Sequence, residues 1–107
     1  MSDLYDLADL PLLAHDIVRE LEKHWDRSDL PMMQVWALAE ESGEFVGAAR
    51  RFFGYARRTG PFADVESELA DVVVTAFVTA HVLGINLADV IDRKSKVMFS
   101  RPWKDPR

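Results

Sequence analysis

Apolar residues recur at helical spacing almost from the start of the chain. Leu7, Leu10, Leu13, Ile17, Val18, Leu21 and Trp25 follow mostly three- and four-residue steps, which predicts a first amphipathic helix over residues 7–25. Pro11 belongs in its first turn, where a missing N–H costs nothing. Residues 26–31 read as a polar connection, with Ser28 or Asp29 as the cap and Pro31 suited to an opening position. A second helix then covers residues 32–53. Gly54 and Thr59-Gly60-Pro61 punctuate the chain and leave residues 55–63 as a basic loop. The third helix runs from Asp64 to Gly84, its C-cap. Its run of Val, Thr, Ala and Phe over residues 72–79 has strand propensity, but its length and the lack of any other strand decide for helix. Asn86 caps a fourth helix over residues 87–98, with Leu87, Val90, Ile91, Lys94 and Val97 on related faces, and Pro102 ends it.

Four helices and no strands make an all-α fold, a four-helix bundle-like protomer formed as one domain over residues 1–107. The third helix is uncharged from Val72 to Ala80 and apolar all round, so a single protomer covers it poorly. A chain of 107 residues also buries a limited share of its surface alone. Both points predict that the core is completed by oligomerisation, as a homodimer or homotetramer.

The formal charge of −5 argues against a nucleic acid polymer as partner. It leaves room for a small phosphate ligand, because Arg50-Arg51, Arg57-Arg58 and the basic residues of 93–104 supply local positive potential. The chain has no cysteine, which excludes a disulfide framework and thiolate zinc sites. The opening Met1-Ser2-Asp3-Leu4-Tyr5-Asp6 lacks the basic segment of a signal peptide, and the uncharged run over residues 72–86 is shorter than the roughly 20 residues of a membrane span. The expectation is a cytoplasmic protein with no membrane partner.

The chemistry concentrates in Glu40-Glu41-Ser42-Gly43-Glu44 and in Glu68-Leu69-Ala70-Asp71. With Glu40 at 0° on a helical wheel, Glu44 falls at about 40° and Glu41 at about 100°, bordering the apolar sector of Leu38, Phe45, Ala49, Phe52 and Phe53. An acid there is costly to bury unless it is paired or bound to a metal. Glu68 and Asp71 share one face at the start of the third helix, where the helix dipole favours negative charge. Two such pairs either form solvated helix faces or bring four carboxylates together around a hard cation, Mg2+ or Mn2+. A di-iron bundle site is excluded by the absence of Glu-x-x-His, since Leu12, Leu21 and Val78 stand three before His15, His24 and His81. No phosphate-binding glycine loop is present.

The two acidic strings resemble the E-E-x-x-E and E-x-x-D motifs of the MazG-like all-α nucleotide pyrophosphohydrolases. The similarity extends through Trp25 and Pro31, as in the branch similar to deoxycytidine triphosphate pyrophosphatases, and downstream through Asp89, Lys94 and Arg101-Pro102-Trp103. The resemblance implies Mg2+ ligation, with Mn2+ as the alternative, by Glu41, Glu44, Glu68 and Asp71. It implies catalytic roles for Glu40 and Glu41, that of Glu40 being outer-shell ligand or water activator. It further implies base stacking by Trp25 and phosphate contacts by Lys94 and Arg101. The reaction implied is hydrolysis of a nucleoside triphosphate between the α and β phosphates, in a house-cleaning role. One departure is Met98, where an Asn often follows the Lys by four residues.

Each assignment has a plainer counterpart. Trp25 can anchor the core, Trp36 can pack at an interface, Lys94 can snorkel over an apolar stripe, and Arg57 and Arg58 can be simply solvated. The rival for the whole chain is a non-catalytic helical module for interaction or nucleotide sensing. Base preference is not legible, because an aromatic stacks on any base.

Overall fold

The first expected helix comes in two pieces. In the computed structural model, which describes residues 6–102, a 3-10 turn at Leu7–Asp9 leads into α1, Leu10–Leu21, with Pro11 in the first turn. The helix stops short of Trp25 because the chain tightens: the His24 N–H donates to the Leu21 carbonyl at 3.0 Å and the Lys23 N–H to that of Glu20 at 3.2 Å. Asp26 then organises the connection, its Oδ1 accepting from the Ser28 N–H at 3.1 Å and the Ser28 hydroxyl at 3.0 Å. Asp29 occupies the N-cap position of α2, Leu30–Phe52, without a side-chain capping bond, so neither of the two expected caps works through its own side chain.

The third helix, α3, is Phe62–Leu83 and starts two residues earlier than expected, because extended Pro61 sets its first turn. Gly84 closes it with φ 71°, a backbone angle that glycine adopts without penalty. Asn86 caps α4, Leu87–Phe99, its side chain accepting from the Asp89 N–H at 3.2 Å. Among the described residues there is no strand, and no single helix is long and apolar enough to cross a membrane. Trp103 lies outside the described residues, as do residues 1–5.

Helices α2 and α3 pack antiparallel along their lengths. At one end the buried Thr79 hydroxyl, which donates to the Thr75 carbonyl of its own helix at 2.7 Å, lies 3.2 Å from the Gln34 carbonyl, and at the other the rings of Phe52 and Phe62 meet edge to face at 5.1 Å. Helix α1 covers only the first of these ends. There Ala14, Val18, Leu30 and Val78 form the buried core, flanked by Ile17, Leu21, Met33, Val74, Phe77 and Val82. Beyond it α2 and α3 continue as a pair, with Ala48 and Val65 buried between them.

The four expected helices are all present, but only three pack together. Helix α4 leaves α3 at 110° and makes no extended contact with the others, and its Ile91 and Val97 are exposed. On α3 itself Leu69, Val73 and Leu83 are exposed by 40% or more, so the helix expected to be buried on most sides is uncovered on one side of the protomer.

Leu30 is 2% exposed whereas Leu12 is 57% exposed. Leu30→Ala is therefore expected to lower stability by about 2–5 kcal/mol, and Leu12→Ala by no more than about 0.5 kcal/mol, when the two are compared in denaturant melts at one protein concentration.

Candidate metal centre

The antiparallel register of α2 and α3 sets Glu41 and Glu44, three apart on one helix, against Glu68 and Asp71, three apart on the other. One carboxylate oxygen each from Glu41, Glu44 and Glu68 lies within 4.8 Å of the other two. Glu41 and Glu68 are partly buried, and the Oε2 atom of each is shielded from solvent with no hydrogen-bond partner. Glu44 is exposed and stands at the mouth. Asp71 is exposed too and outside the mutual 4.8 Å set, but its charge is felt by both Glu41 and Glu68.

The electrostatics are one-sided. Burial pushes the Glu41 carboxyl above its ordinary value, and the charges of Glu44 and Asp71, a hydrogen bond with Glu44 and the charge of Glu68 push it the same way. Glu68 is raised by burial, by Glu44 and Asp71, by a hydrogen bond with Glu44 and by Asp64. No cationic side chain offsets this: the ion pairs among the described residues are Lys23–Glu20, Arg27–Glu22 and Lys96–Asp92. The helix dipole gives little relief, because α3 begins at Phe62 and Glu68 lies more than a turn inside it, beyond the dipole's reach. That corrects the expectation that Glu68 and Asp71 occupy the first turn.

A buried carboxylate oxygen without a donor costs on the order of 1–3 kcal/mol or more. Either a shared proton or a cation relieves it. The donor set is all oxygen, as Mg2+ and Mn2+ prefer. Ligand oxygens each about 2.0–2.2 Å from one ion are at most about 4.4 Å apart, so the observed cluster needs little closure to hold one. These residues fit a hard divalent cation.

The other expected residues are not drawn in. Glu40 is exposed and outside the converging set. Trp25 is 47% exposed in the turn after α1, its ring edge-on to His24. Lys94 and Arg101 are exposed on α4 and just beyond it, on the arm that leaves α3. Trp36, expected to pack at an interface, is 60% exposed. The Ser42 hydroxyl is spent on its own helix, donating to the Leu38 carbonyl at 2.8 Å. Gly47 carried no signal in the sequence and Arg51 stood there only as half of the basic pair Arg50-Arg51; the two continue the stripe of Glu40 and Glu44 at steps of three and four.

The raised carboxyls set a pH dependence. The unfolded chain titrates these groups near 4.5 and the metal-free folded chain above it, so between those values the folded chain holds protons that the unfolded chain has released. Stability of the chelator-treated protein is therefore expected to fall as pH rises through this window and to level off above it. Glu41→Gln should flatten the fall, as should saturating Mg2+, in thermal melts across the acid range.

The comparisons with known proteins bear on the same helices. A model of the MazG nucleotide pyrophosphohydrolase domain matches residues 31–103, a span that includes all of the converging acids and α4. No curated protein and no solved structure matches the chain. The matched span is more than half of the chain, and both acidic motifs fall inside it on the helices that bring them together. The chain belongs to the MazG nucleotide pyrophosphohydrolase family.

Proposed function

We propose that this protein hydrolyses nucleoside triphosphates between the α and β phosphates, releasing the monophosphate and pyrophosphate, with Mg2+ held by Glu41, Glu44, Glu68 and Asp71. Mn2+ is the alternative ion. The observation that carries the reading is the convergence of three carboxylates, two of which, Glu41 and Glu68, have an inner oxygen with no hydrogen-bond partner. A surface kept for a protein partner has no physical reason to focus acids on one point, and that weighs against the non-catalytic rival.

A hard divalent cation in this site supplies charge neutralisation for phosphate oxygens and a more acidic water. Everything else falls to side chains. Glu41 and Glu68, fixed on two packed helices, orient the reacting phosphate through the shared site. Glu44 and Asp71 complete the negative charge at its rim. Glu40 stands beside Glu44 without joining the cluster and is the proposed acceptor of the attacking water's proton. Trp25 is proposed to stack on the base, and Lys94 and Arg101 to meet the phosphates.

The last two assignments need a second copy of the chain. Lys94 and Arg101 follow Gly84, at the far end of α3 from Glu68 by about 24 Å of helix, and α4 makes no extended contact with the helices that carry the acids. A homodimer or homotetramer that covers Leu69 and Val73 on α3 and Ile91 and Val97 on α4 meets both needs. The proposed setting is the cytoplasm, with nucleotide-pool house-cleaning as the role.

Two measurements test this. Glu41→Gln and Asp71→Asn keep side-chain size and each remove one negative charge, so either should abolish pyrophosphate release and weaken Mg2+ binding while leaving the metal-free protein at least as stable. Activity surviving either change would sink the metal assignment; solvated faces would give stability changes within about 0.5 kcal/mol and no loss of turnover. Sedimentation at micromolar concentration should give a dimer or tetramer, and a stable monomer would contradict the assembly.

A further inference from the structure

One turn beyond the acids along α2, the chain builds a second feature from residues that the metal site does not use. Glu40, Glu44, Gly47 and Arg51 form one stripe on α2, at steps of four, three and four. The Arg51 side chain runs back along this stripe rather than out into solvent. A methyl group placed on Gly47 would lie 3.4 Å from Arg51 Nη1, and one on Gly60 would lie 3.3 Å from Arg51 Cβ and 3.6 Å from its Nε. Two glycines therefore leave the lane in which this arginine lies. Its guanidinium is held over Gly47, about 4.5 Å along the helix axis from the level of Glu44.

Arg51 also lines a cavity of about 340 Å³ with Arg58, Thr59, Gly60, Pro61 and Asp64. Neither guanidinium is ion-paired: Asp64 lines the same cavity but pairs with neither, and the ion pairs of the described residues lie elsewhere. Neighbouring Arg50, by contrast, is engaged, donating to the Tyr55 carbonyl at 3.2 Å. Asp64 on the cavity wall stands four residues before Glu68 on α3, so the cavity lies about 6 Å along the helix axis from the acid cluster. Two unpaired guanidiniums and one carboxylate form a mixed lining, suited to an anion that arrives with its own divalent cation. Planar guanidinium forks match phosphate oxygens geometrically as well as electrostatically.

We infer that Arg51 and Arg58 seat the distal phosphates of the substrate, the part that leaves as pyrophosphate, while the scissile end lies against the acids. This rests on the reading of the acid cluster as the site of hydrolysis. It assigns the leaving group to the α2–α3 groove of the same protomer and needs no movement of α4. Gly47 and Gly60 are positioning residues in this scheme, because they act only through the path they leave for Arg51.

The test is calorimetric titration of the full chain with inorganic pyrophosphate in saturating Mg2+, alongside a nucleoside monophosphate as control. Arg51→Gln and Arg58→Gln should each weaken pyrophosphate binding by about tenfold or more and leave the monophosphate unchanged. Gly47→Leu removes no charge and favours helix, yet it fills the lane of Arg51 and should weaken pyrophosphate in the same way; circular dichroism confirms that it folds. Pyrophosphate binding as in the unsubstituted protein, for either the Arg51 or the Gly47 variant, overturns the seat, and so does an unsubstituted protein that does not bind pyrophosphate. Nucleotide turnover by the unsubstituted protein is read separately. If turnover is present while the variants bind pyrophosphate normally, the seat alone is wrong. If turnover is absent while the variants still lose pyrophosphate, the hydrolytic reading fails and the anion seat stands.

Discussion

Like-charge repulsion inside the α2–α3 crevice is the constraint on which the rest of the structure depends. Glu41, Glu44 and Glu68 come within 4.8 Å of one another, two of them with an oxygen withdrawn from water, and no cation of the protein stands among them. Left to themselves, two helices carrying such a set would separate or slide. They are clamped on either side instead. The core of Val18, Leu30 and Val78 holds one end, and the Phe52–Phe62 contact with buried Ala48 and Val65 holds the other. Apolar packing outside the site thus offsets the electrostatic cost within it, a common arrangement for residues whose chemistry is needed more than their stability.

The clamp also explains how charge is distributed within the site. The inner positions belong to Glu41, which borders the apolar face of α2, and to Glu68, opposite it on α3, and these are the two acids with raised affinity for protons. Glu44 and Asp71 lie further out, where water screens them. A site with two acids held in and two at the rim can bind a cation from outside without opening the helices. Further along α2 the stripe of Glu40 and Glu44 reaches Gly47 and Arg51, where the sign of the side-chain charge changes.

Much of this was legible in the sequence, and the remainder was hidden for definite reasons. Helical periodicity set the first and fourth helices, because a stripe of Leu, Ile and Val at steps of three and four has one economical reading, whereas the third was decided by its length and the lack of any other strand. The ends of the elements were less legible. Asp26 capturing Ser28 and Pro61 opening α3 are local bonding choices that several neighbouring polar residues could equally have made. The acids of the site were visible because i,i+3 pairs on two helices can be read without knowing the fold. Arg51 was visible only as half of a basic pair, since its placement depends on missing atoms at Gly47 and on where the loop brings Gly60, a residue nine positions later.

The direction of α4 shows a deeper limit of periodicity. Its stripe of Leu87, Val90, Ile91 and Val97 announces that this face has a partner, and the bundle reading supplies the nearest one, the other three helices of the same chain. A stripe, however, specifies what it packs against only by chemistry and never by chain. Gly84, with its positive φ, and the two residues after it turn α4 through 110°, and α4 makes no extended contact with the other helices. The apolar faces left open on α3 and α4 are of the same kind, the kind that two-fold association commonly buries in proteins. The exposed apolar faces thus lie on the two helices that carry the acids Glu68 and Asp71 and the cation Lys94, so packing and charge are set by the same elements.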